Sequence, residues 1–358
     1  MSATVVSMGA KQSIHGRGAA ENPANRFEHT AYERDEDWDE PDDPAPKTQF
    51  YRDASASIIT HNNSPDVGFT YSINPYRGCE HGCVYCYARP YHEYLGFSAG
   101  LDFETKIVVK ENAPELLRRE LSSPKWKPRT LAMSGVTDCY QPIERRLQIT
   151  RKCLQVLAEF RNPVAIVTKN LLVTRDIDVL ADLACDNAAA VFLSVTTLNA
   201  DLARFMEPRT AQPTARLRAI KELSTAGVPV GVMVAPVIPG LTDHELPAIV
   251  KAAAEAGARF AGMVPLRLPY AVKDLFQQWL EQHIPDRKEK VLAQIRAIRG
   301  GKLNDANFGS RMQGQGIVAE QMAKMFEVAC RRAGFPEHGP RLSIAAFRRP
   351  AGAQMELL

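Results

Sequence analysis

The stretch VAIVTKNLLVTRDIDVLADLACDNAAAVFLSVT, residues 164–196, reads as strand, helix, strand. Its two ends, VAIVTK and AVFLSVT, are short apolar runs without polar alternation, the pattern of strands buried on both faces. Between them RDIDVLADLACD carries its apolar residues at helical spacing, and Thr174 is placed to cap it. A helix between two such strands makes a parallel crossover, since antiparallel neighbours need only a tight turn. The alternation continues both ways, with TYSINPY at 70–76 and RTLAMSG at 129–135 before it, and VPVGVMVAP at 228–236 and RFAGMVPL at 259–266 after it. Further helices announce their ends: Pro142 opens IERRLQITRKCLQVLAEF, Pro213 opens TARLRAIKELSTAG with Gly227 as its stop, and Thr242 with Glu245 has capping-box spacing. Six short strands alternating with helices predict an α/β fold, a full or partial (β/α)6 barrel of TIM type. In that architecture the active site lies at the carboxyl ends of the strands. A further strand, KIVVK at 106–110, either joins this sheet or lies outside it.

The barrel is expected over residues 49–269. Residues 1–48 carry an acidic, proline-bearing run from Glu33 to Pro46 and no apolar period, which predicts a flexible, disordered tail. From 270 to 358 the strands stop, and AVKDLFQQWLEQH, DRKEKVLAQIRAIRGG and VAEQMAKMFEVACRRAG predict a helical extension, interrupted by the turn-rich KLNDANFGSRMQGQG at 302–316. The terminal RLSIAAFRRP is basic and reads as solvated. With 44 basic against 41 acidic residues, the net charge of +3 announces no polyanion binder by composition alone. No apolar run reaches the roughly 18 to 20 residues of a membrane span, and the first residues lack the apolar core of a signal peptide. No membrane association and a cytoplasmic location are therefore expected.

Seven cysteines are an odd number for a disulfide framework, and three of them crowd into NPYRGCEHGCVYCYAR at 74–89, directly after a predicted strand. Cys79, Cys83 and Cys86 have the spacing C-x3-C-x2-C, which suits three thiolates each binding one iron of a [4Fe-4S] cluster. The fourth iron then lacks a ligand from this loop, and an open coordination position is the mark of a catalytic site. Gly78 and Gly82 let the loop bend, and Tyr85 can cover the cluster edge. The alternative is a zinc-stabilised module in which His81 completes Cys3His. An iron–sulfur electron carrier or sensor without further chemistry is a third reading, though it prefers a fourth nearby cysteine.

The pattern of Cys79, Cys83, Tyr85 and Cys86 resembles the radical S-adenosylmethionine superfamily, whose signature is C-x3-C-x-aromatic-C. Within it the chain is similar to the spore photoproduct lyase group, also called DNA repair photolyase-like, through NPYRGCEHGCVYCYAR, SGVTDCYQPIE, VTKN, and LSVTT followed by EPRT. The resemblance spans about Phe50 to Leu268. It implies a six-stranded partial barrel, a [4Fe-4S] cluster, S-adenosylmethionine chelated at the open iron, and an external electron donor of flavodoxin or ferredoxin type. It also implies generation of a 5′-deoxyadenosyl radical, with nucleic acid among the substrates to be expected. By the same resemblance the strand ends bearing Thr137, Asp138, Lys169 and Ser194 hold the S-adenosylmethionine, with Lys169 suited to its carboxylate. Glu144 either serves the methionine amino group or has an ordinary role in the first turn of its helix.

Cys139 is either a hydrogen-atom donor, since the lyase uses a cysteine from this strand end, or an ordinary small residue of the loop. Here the match is displaced: aligning Thr137 and Asp138 with the lyase's Ser-Asp puts Gly135 at the donor position. Cys153, Cys185 and Cys330 fall on helices at apolar spacing and read as core. Tyr85, Tyr87, Tyr91 and Tyr94 crowd the segment around Arg89, where they either stack a base or pack against the barrel.

Overall fold

The computed structural model describes residues 13–28 and 46–350. Ten strands follow in chain order: β1 Gln49–Arg52, β2 Ile59–His61, β3 Tyr71–Ile73, β4 Tyr76–Arg77, β5 Lys106–Val109, β6 Leu131–Met133, β7 Val164–Thr168, β8 Ala189–Ser194, β9 Val230–Val237 and β10 Ala261–Pro265. β3 and β6 to β10 form the parallel sheet in the order β10-β9-β8-β7-β6-β3, and β2 pairs antiparallel on the outer edge of β3. The sheet ends do not pair with each other among the described residues, so this is a partial barrel. KIVVK lies outside it. As β5 it pairs with β1 and β4 in a separate three-stranded sheet.

The strands are short and apolar because both faces are covered. β8 is buried along almost its whole length, and Val164, Ile166, Val191, Leu193, Val230 and Val232 share one core with the helices. The helix Pro213–Thr225 begins at its proline and stops before Gly227, whose φ is +80°. Two helix starts differ from expectation. Asn170, not Thr174, caps the segment after β7, accepting from the Leu172 N–H, and a 3-10 turn precedes the helix Ile177–Cys185. Thr242 and Glu245 form no capping box: the Thr242 hydroxyl accepts from the Ile238 N–H, and the Glu245 carboxylate reaches instead to Thr197 and the Leu198 N–H.

Three helices, Val272–His283, Lys288–Ala297 and Gly316–Arg332, follow β10. The last packs on the helix Leu246–Glu255, and the turn-rich segment ahead of it holds a short helix, Ser310–Gln313, beside β10. The basic terminus is not merely solvated. Phe347 packs on the core near Phe160, and Arg349 donates to the carbonyls of Ser123 and Trp126. Cys153 is buried as expected of a core residue, whereas Cys185 is exposed at the end of its helix.

The tail expectation is corrected at its described parts. Residues 13–28 pack against the cysteine loop and its neighbours, and Arg17 donates to the Pro46 carbonyl. The acidic run itself lies outside the described residues. Among these no helix is long and apolar enough to cross a membrane.

Candidate active site

The cysteine loop leaves β3 and β4 at the carboxyl end of the sheet. Cys79 and Cys83 are buried and Cys86 is partly so. Backbone bonds fix the bend: the Cys79 N–H donates to the Phe103 carbonyl at 2.9 Å, Val84 N–H to Met206 at 3.1 Å, and Cys86 N–H to Cys83 at 3.2 Å. Gly82 has a φ of +66°, and a Cβ there would come within 2.7 Å of the Glu104 carboxylate, so the residue is glycine for two reasons. Arg89 holds the loop from behind. Its guanidinium is fully buried, donates to the carbonyls of Gly82 and Cys83, and pairs with Glu104 at 2.6 Å. The same carboxylate accepts from the N–H groups of Gly18, at Oε2, and Ala19, at Oε1, at 3.0 and 2.9 Å.

Burial raises all three thiols above the ordinary range, and for Cys79 the neighbouring Asp138, Cys83 and Cys86 add to it. The Lys169 ammonium acts against this at Cys83 and Cys86. Thiols in this setting ionise only beside cations, which the irons of a cluster would supply. Soft sulfur donors on one loop, within electrostatic reach of one another, fit the cluster. Among the described residues no three His, Cys, Asp or Glu side chains converge tightly enough for a single ion. Thiolates that each take a different iron need a wider stance than ligands sharing one ion. The Cys3His zinc alternative fails on His81, which is 1% exposed with both ring nitrogens engaged, Nδ1 at 3.3 Å from Asp138 and Nε2 at 3.1 Å from the Asn170 amide.

Around the loop the strand ends bring some expected residues together and withdraw others. Lys169, after β7, lies 5.9 Å from the Tyr85 ring centroid, and among the described residues its ammonium makes one hydrogen bond, a long 3.4 Å contact to the Ala235 carbonyl. Burial lowers its pKa, Cys83 raises it, and Arg216 lowers it again. An ammonium so placed calls for an anion. Tyr85 is buried and donates to Glu207, which also accepts from Thr196 and pairs with Arg216. Ser194, at the end of β8, is buried, and its carbonyl accepts from Arg216 at 3.0 Å.

Asp138 is already filled. It accepts from the Thr168 hydroxyl, the N–H groups of Lys169 and Tyr140, and His81. Burial pushes its carboxyl up, yet His81 and these donors hold it below the usual carboxylate range. Its position suits orienting His81 and the Lys169 backbone. The Thr137 hydroxyl is likewise spent, donating to the Tyr76 carbonyl at 2.7 Å.

Two candidate roles lack a free group in the structure. Glu144 is fully buried and accepts from the Tyr76 hydroxyl, the Thr150 N–H and Arg175, which leaves no oxygen for a methionine amino group. Cys139 does not reach the barrel mouth. It is fully buried in the main core with Tyr76 and Tyr140, and burial with Asp138 beside it raises its thiol far above the ordinary range.

Reading by residue type missed Glu104, Glu207 and Arg216. The signal for Arg216 was present: it occupies the apolar stripe of its helix with Ala219, Ile220 and Leu223, where a charge must have a buried partner. Glu104 has no local signature, because its partners Gly18 and Arg89 are set by tertiary structure. Tyr85 packs inward as one reading allowed, but Tyr91 and Tyr94 do not.

A cysteine loop at the carboxyl end of a parallel partial barrel, beside a lysine with no carboxylate at ion-pair distance among the described residues, fits the class of iron–sulfur enzymes. The Radical SAM superfamily model matches residues 73–253, just over half of the chain, and the chain belongs to that superfamily. An uncharacterised protein of Mycobacterium tuberculosis is 38% identical over 226 residues, covering 63% of this chain and 66%, just under two thirds, of the relative. An uncharacterised protein of Methanocaldococcus jannaschii is 32% identical over 178 residues, covering 50% of this chain and 64% of its own length. Among solved structures, a spore photoproduct lyase variant superposes with a TM-score of 0.58 at 16% identity, covering 79% of this chain and 78% of the lyase. Another such variant, with bound AdoMet and dinucleoside spore photoproduct, superposes with a TM-score of 0.57. At that identity the likeness is one of fold.

Proposed function

We propose that the protein is an enzyme that cleaves S-adenosylmethionine reductively at a [4Fe-4S] cluster held by Cys79, Cys83 and Cys86, and that an external flavodoxin- or ferredoxin-type donor reduces it. The observation that carries the reading is the pairing of the three-cysteine loop with a Lys169 ammonium near Cys83 and Cys86 that has no carboxylate at ion-pair distance among the described residues. When bound, the cluster supplies the electron that breaks the sulfonium bond. The chain's own residues do the rest. Arg89 and Glu104 fix the loop, Lys169 meets the cofactor carboxylate, and Asp138 sets the Lys169 backbone and His81 in place. Ser194 and the buried Tyr85–Glu207–Arg216 network close the floor of the site against water.

Nucleic acid is the substrate class to test first, given the lyase likeness, but the lyase reaction does not follow from it. The cysteine that would return a hydrogen atom, Cys139, is sealed in the core. The test is anaerobic incubation of reconstituted, reduced protein with S-adenosylmethionine, and 5′-deoxyadenosine is the expected product. An intact cluster that yields none overturns the reading in favour of electron transfer alone. Cys83→Ala should lose most of the bound iron and the visible absorbance together, whereas Cys139→Ala should keep both.

A further inference from the structure

We propose that the mouth of the barrel carries a stacking rim for unpaired nucleic-acid bases, built from Phe27, Tyr91 and Tyr94 with Arg26, and from Tyr87 with Arg267. The inference rests on the functional reading above for its substrate class, and it names the part of the chain that would hold that substrate.

Large aromatic rings at a protein surface are informative when they gather. Tyr91 is 55% exposed and Tyr94 68%. Their centroids are 6.4 Å apart, and Phe27, itself 53% exposed, lies 4.9 Å from Tyr94. Neither tyrosine therefore forms the packing face that one sequence reading gave them. Guanidinium groups are interleaved with the rings. Arg26 sits 3.7 Å from the ring centroid of Tyr270 and 5.1 Å from that of Phe27, and Arg267 lies 5.7 Å from that of Tyr87. Planar cations beside exposed rings are how single strands are gripped: each base offers a π-face, and arginine meets the backbone.

The rim starts at the chemistry. Tyr87 directly follows Cys86 and donates to the Gly135 carbonyl just beyond β6, and Arg267 follows β10, so both stand at the carboxyl end of the sheet. Arg267 is also electrostatically incomplete. Among the described residues it has no carboxylate at ion-pair distance, its Nη1 contacts only the weak acceptor sulfur of Met312, and its buried Nε has no partner. The nearby Asp66 is taken by Arg311. A half-buried guanidinium in this state is completed by an oxyanion from outside, and a phosphate fits its fork.

An acidic protein partner fits less well, because Arg26 is already paired with Glu93 and rings outnumber free charges. Duplex DNA fits less well too, since its bases are stacked on one another and offer no free face. Binding carried by stacking has a further signature. With Arg267 as its phosphate contact, the salt slope should be about −0.7, the contribution of one contact on a single strand.

The experiment is fluorescence anisotropy of the full-length protein with a labelled single-stranded oligonucleotide, competed with the same sequence as duplex, with a nucleoside monophosphate and with polyglutamate. The single strand should bind and outcompete the duplex and polyglutamate. Competition by the monophosphate at similar concentration would assign the rim to free nucleotides, and strong preference for the strand assigns it to nucleic acid. Tyr91→Ala and Tyr94→Ala should each weaken binding about tenfold while Tyr94→Phe retains it, and Arg267→Gln should reduce the salt slope by about 0.7. No binding at low salt, equal binding of duplex or polyglutamate, or indifference to the tyrosine variants in protein of unchanged circular dichroism overturns the proposal. None of these readouts needs turnover, so failure here is separate from failure to form 5′-deoxyadenosine.

Discussion

Arg89 and Glu104 are both fully buried, and removing either would leave the other without its partner in the interior. Their arrangement converts an expensive pair of charges into a fixed backbone, because the guanidinium spends its remaining donors on the carbonyls of Gly82, Cys83, Ala99 and Gly100. His92, close by, shows the opposite solution. It is 2% exposed, lies against Phe97 and Phe103, and leaves Nε2 without a partner. Burial drives its pKa down to about 4, against weaker upward effects of Asp102 and neighbouring backbone groups. The unfolded chain therefore takes up a proton near pH 6.5 that the folded chain refuses until about pH 4. Stability should be independent of this group above pH 6.5, fall through that window, and flatten below it, for a total of about 3 kcal/mol. Urea midpoints from pH 7.5 to 4 should show the decline, and His92→Phe should remove part of it. Equal pH dependence in the two proteins would contradict the assignment.

At the scale of elements, the segment 13–28 is joined to the loop by groups that a sequence scan treats as unremarkable. Gly18 is the tightest of them: a Cβ there would fall 1.7 Å from the Gly82 carbonyl oxygen. Backbone cannot yield that far, so Gly18→Ala must lift the segment away from the cysteine loop. Limited proteolysis should then cut within 13–28 at least tenfold faster than in the parent protein. Glu104→Gln keeps an acceptor for Gly18 but loses the charge facing Arg89, and should cause an intermediate increase. Unchanged cleavage in both variants would mean that this contact does not hold the segment. Helix starts at this scale follow local rules only where no tertiary partner competes. The Pro213 helix keeps its signals, whereas Glu245 is drawn away to Thr197 and Leu198.

For the whole molecule, the cysteine loop is tied to segments far apart in sequence. Met206 and Phe103 accept its N–H groups, and Arg209 returns to the His81 carbonyl and Glu80. Loading of the site should therefore stabilise the entire barrel, since whatever binds only the folded state adds to its stability. The thermal midpoint of reconstituted protein is expected several degrees above that of the apo form, and Cys83→Ala should show no such gain. An equal midpoint for loaded and apo protein would argue that the loop is decoupled from the fold. At the far end of the sheet Phe347 and Arg349 close over the region of Phe160 and Trp126, so the helical extension contributes at both the mouth and the base.

The alternation of strands and helices, the six-stranded parallel order and the cysteine spacing were all legible in the chain, because each is a local period or a local chemical set. Lys169 was legible too, as a charge at a strand end. What sequence could not tell was which polar groups are already satisfied. Cys139 shares a short loop with Thr137 and Asp138, and Glu144 opens the helix just after it, yet partners contributed from Tyr76, Thr150, Thr168 and Arg175 engage or bury them. Hydrogen-bond saturation is a property of neighbours brought together by folding, and so are the docking of residues 13–28 and the gathering of Phe27, Tyr91 and Tyr94 on one rim. Local periodicity determined the barrel, and the cysteine spacing the place proposed for its iron–sulfur chemistry; tertiary contacts alone decided which side chains remain free to take part in it.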